Sequence, residues 1–326
     1  MKKLLSLSIA SVLSIAATTS AADDNALRNT AKAMFGTLPT AMPGADKDSA
    51  AKIELGKKLY MDTRLSKNDT QSCNSCHNVS EKNGKFGPGV DNQATSAGAF
   101  GKNGDRNSPT VWNAGFQLAQ FWDGRAEDLT AQAKGPILNP IEMAMPNEKA
   151  VLDKLAKTEY PAQFDKVYGK KGMTYQNLAE SIAAFERTLI TQDRFDDFIN
   201  GDNKALNAQE KRGLQTFINS GCTACHNGPT LGGKMYQKVG LIKPYANQHD
   251  QGRFAVTKNA ADKMVFKVPM LRDIARTAPY FHDGKVKTLE EAVALMGELQ
   301  LGKKLSKQEV SDITAFLNSL THKAAL

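Results

Sequence analysis

Two Cys-x-x-Cys-His pentapeptides, Cys73-Asn-Ser-Cys76-His77 and Cys222-Thr-Ala-Cys225-His226, constrain this chain more than any other feature. The pattern is the attachment signature of c-type haem. Two thiols add across the porphyrin vinyl groups, and the adjacent imidazole becomes the proximal iron ligand. The two units use all four cysteines, so none is left for a structural disulfide. Two other readings compete. A four-cysteine zinc site must join Cys76 to Cys222 across a long intervening segment, and it leaves both histidines without a task. A thioredoxin-type redox pair wants a βαβ pattern, which the sequence lacks.

The N-terminus points to an oxidising compartment on separate grounds. Lys2 and Lys3 precede an apolar run from Leu4 to Ala17, and small residues then lead to Ala21-Ala22 and the acidic Asp23-Asp24. A run this short, followed by a cleavage motif, reads as a secretory signal peptide over residues 1–22, with cleavage after Ala21 or Ala22. No other segment approaches the length of a membrane span, and maturation of a c-type cytochrome then places the protein in the periplasm. The formal charge of +8 falls to +6 once Lys2 and Lys3 leave, and four haem propionates remove most of that. The basic balance therefore argues for no nucleic-acid partner. A lysine face for an acidic redox partner competes with an ordinary solvated surface.

The periodic segments are helical. Leu178, Ile182, Phe185 and Leu189 form one apolar stripe, as do Val310, Ile313, Leu317 and Leu320. Asn207 with Glu210 and Ser306 with Glu309 have the spacing of an N-cap and its reciprocal N3 acid. No alternating run long enough for a sheet stands out, and segments 78–108 and 227–262 read as long functional loops. The expected fold is all-α: two cytochrome c-like domains, each carrying one covalently attached haem c. The division expected is 23–200 for the first, completed by the C-terminal helix 306–326, and 201–305 for the second. An internal repeat supports the duplication, because Pro109, Phe121, Asp123, Gly124 and Leu129 match Pro269, Phe281, Asp283, Gly284 and Leu289 at a constant offset of 160.

The repeat also separates the two haems. Leu289, Ala292, Val293 and Met296 share one helix face in the second copy, and a thioether is a standard sixth ligand that favours ferrous iron. Met296 thus reads as a haem ligand, against the alternative of a methionine filling a core gap. In the first copy the same offset leads to Pro136, which cannot bind iron, with Gln132 one turn earlier and Glu142 shortly after. One electron-transfer haem and one open, reactive haem are expected; a solvated Gln132–Glu142 surface pair is the competing reading.

These residues carry a resemblance. Arg106-Asn-Ser-Pro-Thr, Ala119-Gln-Phe-Trp-Asp-Gly-Arg-Ala-Glu-Asp-Leu, Gln132-Ala-Lys-Gly-Pro, Gly252-Arg-Phe-Ala-Val-Thr, Thr277-Ala-Pro-Tyr-Phe-His and Glu291-Ala-Val-Ala-Leu-Met-Gly stand in order with both haem motifs. From about residue 45 onward the chain resembles the bacterial dihaem cytochrome c peroxidases, relatives of MauG. The resemblance implies that His77 ligates a low-potential peroxidatic haem, and His226 with Met296 a high-potential one. It makes Glu142 the acid–base group that moves a proton between the peroxide oxygens, with Gln132 and Phe121 lining the distal pocket. It puts Trp122 on the electron route between the haems, where an ordinary core tryptophan is the other reading. It further implies a calcium ion held by oxygens of Asn107, Thr277 and Pro279. Hydrogen peroxide is the implied substrate, a small periplasmic cytochrome c or cupredoxin the donor, and a homodimer a frequent assembly.

One departure stands out. The family places a histidine in a Thr-Ser-x-Gly-His loop, where it caps the peroxidatic iron until the other haem is reduced. This chain reads Thr95-Ser96-Ala97-Gly98-Ala99, and the preceding loop Glu81 to Val90 is longer than usual. An open first haem is expected, with His249, Lys85, Lys102 or a methionine as substitute caps. Two rival functions remain: a MauG-like oxidase of a protein or organic substrate, which an uncapped haem favours and Met296 opposes, and a dihaem electron-transfer cytochrome without catalysis, which Pro136 and Ala99 oppose.

Overall fold

The computed structural model describes residues 21–325, so the expected signal peptide falls outside the described residues except for Ala21 and Ala22. Among the described residues, twelve α-helices carry the fold. The first eight are α1 (Ala21–Phe35), α2 (Ala50–Met61), α3 (Cys73–Cys76), α4 (Leu129–Leu138), α5 (Glu148–Leu155), α6 (Tyr160–Tyr168), α7 (Tyr175–Glu186) and α8 (Arg194–Ile199). The remaining four are α9 (Ala208–Ser220), α10 (Phe254–Thr257), α11 (Leu289–Leu301) and α12 (Lys307–Ser319).

The expected caps are present. Asn207 and Glu210 close a reciprocal box at the start of α9, and Ser306 and Glu309 do the same for α12. Each satisfies amide donors that no helical carbonyl can reach. The stripe Leu178, Ile182, Phe185 and Leu189 is buried, together with Leu55, Leu59 and Tyr60 of α2, in a first core. Ile313, Leu317 and Leu320 enter a second core with Leu214 and Phe217 of α9.

The two cores are built on one plan. Helix α2 crosses α7 at Gly56, where a β-carbon would meet the Ser181 carbonyl oxygen at 1.7 Å. Helix α9 crosses α12 at Gly213, where it would meet the Asp312 carbonyl oxygen at 1.8 Å. A missing side chain lets backbones touch in both pairs, so α7 and α12 are equivalent closing helices. This corrects the expectation that 306–326 completes the first half: α12 packs on α9, and the residues after it reach back, with the His322 ring 5.1 Å from that of Trp112 and the turn 323–325 against Lys85–Phe86. The expected boundary at 200 also moves. Leu27 and Phe35 of α1, with Phe195 and Phe198 of α8, bury in the second core although both helices lie before it.

The repeat of 160 is a structural one. Phe121 and Phe281 have φ of 65° and 67°, and Asn113 and Asp273 both have 60°. The Gln120 amide donates to the Ala126 carbonyl at 2.7 Å, and Tyr280 donates to Val286 at 2.6 Å. More telling, the copies exchange bonds: Asn107 N–H reaches His282 O at 2.8 Å, and Lys267 N–H reaches Trp122 O at 2.8 Å. Both pairs obey the offset, so each half lends its copy of the turn to the other.

Two small ribbons interrupt the helical pattern among the described residues, the first within the loop 78–108 and the second pairing the loop 227–262 with the segment after it. Strands β1 (Glu81–Lys82) and β2 (Lys85–Phe86) pair antiparallel around Asn83-Gly84, both with positive φ. That dipeptide is a strong two-residue hairpin signal, and the sequence reading of 78–108 as loop passed over it. Strands β3 (Tyr236–Lys238) and β4 (Val265–Lys267) join residues far apart in the chain, which alternation alone does not reveal. No described helix is long and apolar enough to cross a membrane.

Candidate active site

A cavity of about 780 Å³ opens in the first half. Cys73, Cys76 and His77 line it from α3 and the residue after it. Gln132 and Pro136, four residues apart and so on one face of α4, line it as well. Glu142, in the turn after α4, and Phe121 and Trp122, from the repeat turn, complete this set. Residues separated by up to 69 positions in the chain thus meet at one void.

The proximal side is set for ligation. His77 Nδ1 lies 3.0 Å from the Pro109 carbonyl oxygen. A carbonyl only accepts, so Nδ1 carries the proton and Nε2 keeps its lone pair. Burial lowers the His77 pKa and favours the neutral ring. Tyr60 donates to the His77 carbonyl at 2.6 Å and fixes the backbone below it. His226 is prepared in the same way, with Nδ1 3.1 Å from Leu231 O and a pKa lowered by burial.

On the other side, Glu142 is half-buried and accepts from Asn139 Nδ2 at 2.7 Å. Burial pushes its pKa up, opposed by the Arg125 charge and the Asn139 bond. The Arg125 guanidinium lies 3.5 Å from the centroid of the Phe121 ring. Trp122 donates Nε1–H to the Asn107 carbonyl at 2.8 Å, and its ring centroid lies 6.4 Å from that of His282.

The loop at 95–103 bears on the missing cap. The Ala99 amide donates to the Glu142 carbonyl at 2.7 Å, and Ala99 is buried. Gly98 packs so closely that a β-carbon there would meet Ile141 O at 1.7 Å. This loop is therefore pinned to the segment carrying Glu142. His249, from the loop of the second half, is exposed at the edge of the same cavity.

In the second half, Leu289, Ala292 and Val293 of α11 bury in the core against which Cys222 packs, while Met296, one turn on, is half-buried. The residues expected around calcium are neighbours. Asn107 bonds to the His282 carbonyl, and Asn92 Nδ2 takes the carbonyls of Arg276 and Ala278 at 2.8 and 2.9 Å, the alternates of Thr277 and Pro279.

A family profile described as di-haem cytochrome c peroxidase matches residues 50–204. Over 312 residues the chain is 47% identical to cytochrome c551 peroxidase of Pseudomonas aeruginosa, covering 93% of this chain and 88% of that protein. The chain belongs to the di-haem cytochrome c peroxidase family. It is also 49% identical over 276 residues to cytochrome c551 peroxidase of Nitrosomonas europaea, covering 84% of this chain and 81% of that one. Among solved structures, a MauG-like protein associated with microbial copper homeostasis superposes with a TM-score of 0.76 at 27% identity, over 88% of this chain and 94% of that one.

Three groups lining the cavity of this di-haem peroxidase homologue escaped the sequence reading. Arg125 sits inside a quoted motif, but its stacking on Phe121 needs the turn. Glu186 is 4% exposed, and its Oε2 has no partner among the described residues. Lys267 reaches the cavity from the other half. Motif and period say nothing of such groups, because neither spacing nor hydropathy marks a buried charge.

Proposed function

We propose that the protein is a periplasmic peroxidase that reduces hydrogen peroxide to two waters, taking two electrons from a small c-type cytochrome or cupredoxin. The observation that carries this is the placing of Glu142, with Gln132 and Phe121, in one cavity with a histidine whose Nε2 is free. The donor set fits haem c: paired thiols, an Nδ1-protonated imidazole and a void of about 780 Å³. Bound there, haem c supplies the iron that takes up peroxide and one of the two electrons.

The chain's own residues handle the protons and the surroundings. Ionised Glu142 takes the proton from one peroxide oxygen and returns it to the departing oxygen as the O–O bond breaks, so water leaves instead of hydroxide. Asn139 holds the carboxylate by its Oε1, and the Arg125 charge opposes the upward push of burial on its pKa. Gln132 offers amide hydrogen bonds to the oxygens, and Phe121 limits water. His226 and Met296 would hold the second haem, the source of the other electron, with Trp122 on the path between the two sites. Each helix-built core is read as one cytochrome c domain. Asn107, Thr277 and Pro279 offer oxygens for calcium at the seam: the Asn107 carbonyl already accepts from Trp122, so its side-chain oxygen is the free donor, and Asn92 takes only the carbonyls alternate to Thr277 and Pro279.

MauG-like oxidation of a protein or organic substrate is the second reading, favoured by Ala99 at the capping position and opposed by Met296, where those relatives carry tyrosine. A steady-state assay with hydrogen peroxide and a reduced small cytochrome decides. Two donor electrons consumed per peroxide are expected; peroxide that leaves the donor reduced overturns the proposal.

A further inference from the structure

Three cationic side chains line the first cavity apart from its histidines: Arg106, Arg125 and Lys267. Two are neutralised. Arg106 contacts Asp123 at 2.7 Å and Asp250 at 2.5 Å, and Arg125 contacts Asp123 at 3.1 Å. Lys267 is a buried residue, 5% exposed, with no carboxylate within ion-pair distance among the described residues, and its Nζ donates to Gln117 Oε1. Burial pushes its pKa down to about 7. A buried ammonium held by one neutral amide is costly unless an anion joins it.

The repeat sharpens the point. The copy of Lys267 in the first half is Asn107, which is neutral. Both use their backbone N–H in the exchanged bonds across the seam, so the positions are equivalent in fold but not in charge. The cation is carried by one copy only, and it lines the cavity of the opposite half. Haem c brings carboxylates of its own: two propionates, on the porphyrin edge away from the vinyl carbons that the thiols take.

We infer that Lys267 is the counter-ion of a propionate of the first haem, supplied across the seam by the second half, and that it raises the potential of that haem. The inference rests on reading the cavity as a haem site. Reduction adds one negative charge to the haem, so a fixed ammonium beside it stabilises the reduced form. Removing that charge makes reduction harder. Because β4 also carries the bond to Trp122, a shift of the seam moves the charge and the electron route together.

The test uses the holoprotein and the variants Lys267→Met, Lys267→Gln and Lys267→Arg. Haem content is measured first by the pyridine haemochrome assay. Fewer than two haems in the parent protein defeats the haem reading itself, separately from this inference. With two haems present, potentiometric titration followed by absorption and EPR reads each haem. Lys267→Met is expected to shift the first haem's reduction equilibrium tenfold or more toward the oxidised form, about 59 mV for one electron. The second haem should hold its value and Lys267→Arg should recover most of the loss. Lys267→Gln keeps a hydrogen bond to Gln117 without charge and serves if the methionine variant loads poorly; it should show the same fall. A first-haem potential unchanged in a fully loaded Met or Gln variant overturns the inference, as does an equal fall at both haems, which a loosened fold produces.

Discussion

Glu142 stands between two opposing pulls: burial raises its pKa, while Arg125 and Asn139 lower it, and burial wins. A carboxylate whose pKa is raised is a stronger base than a free glutamate, which suits it to taking a proton from peroxide. Glu142→Gln keeps the shape and removes the base, so kcat at saturating donor should fall by about 10²–10⁴-fold. The sign for pH follows from the ionised form being active: turnover should be lost as pH falls, with its limb above the ordinary glutamate range. Near-normal turnover in the variant removes Glu142 from the proton path. Glu186 is the contrasting acid, buried with no partner for Oε2 among the described residues, its pKa pushed up to about 8 by burial. Its folded pKa exceeds its unfolded one, so its contribution to stability is full at low pH and is lost as pH rises through about 8. Glu186→Gln cannot ionise. Its melting temperature relative to the parent should therefore climb between about pH 5 and about pH 9, and a pH-independent gap contradicts the buried, neutral acid.

Among the elements, the loop over 95–103 matters most for activity. It is anchored by Ala99 N–H to Glu142 O and by the close approach of Gly98 to Ile141, and at the capping position it presents a methyl group. An alanine cannot ligate iron. The fully oxidised protein should then show a high-spin component and bind cyanide without prior reduction, and turnover should start without a lag. An EPR spectrum followed by a cyanide titration checks this. Two low-spin haems that refuse cyanide until half-reduced contradict it and direct the search to His249, which borders the same cavity. The hairpin at Asn83-Gly84 accounts for the added length before this loop: its residues Glu81 to Lys85 are exposed, and it carries Phe86 onto Trp112, with ring centroids 5.9 Å apart.

At the scale of the molecule, the halves are joined by reciprocity as well as by contact. Asn107 and Lys267 exchange backbone bonds with His282 and Trp122, and Arg106 ties Asp123 of one half to Asp250 of the other. Gly124 and Gly284, equivalent in the repeat, each press on the opposite half, where β-carbons would meet Tyr236 Oη at 1.8 Å and Ala94 O at 2.4 Å. A calcium ion bound by Asn107, Thr277 and Pro279 would sit on this seam. Chelation is therefore expected to slow electron passage from the second haem to the first, measured by stopped-flow reduction, while both haems stay attached. Transfer at an unaltered rate in calcium-free protein argues against a cation there.

The sequence by itself pointed to the covalent chemistry and to an asymmetry between its two copies. Cys-x-x-Cys-His is a local pattern whose meaning needs no fold, and the constant offset of 160 sufficed to set Met296 against Pro136. Caps such as Asn207–Glu210 were legible for the same reason, since both partners lie within one turn. Only the tertiary structure decided which core each helix serves. Periodicity says that a face of α12 is buried but not what covers it, and Gly213 against Asp312 settles that; α1 and α8 join the second core only through contacts distant in the chain. Only the tertiary structure, too, brought Lys267, Glu186 and His249 to the cavity of the first half. A buried charge gains its meaning from neighbours distant in the chain, and those neighbours exist only once the two copies have closed on each other.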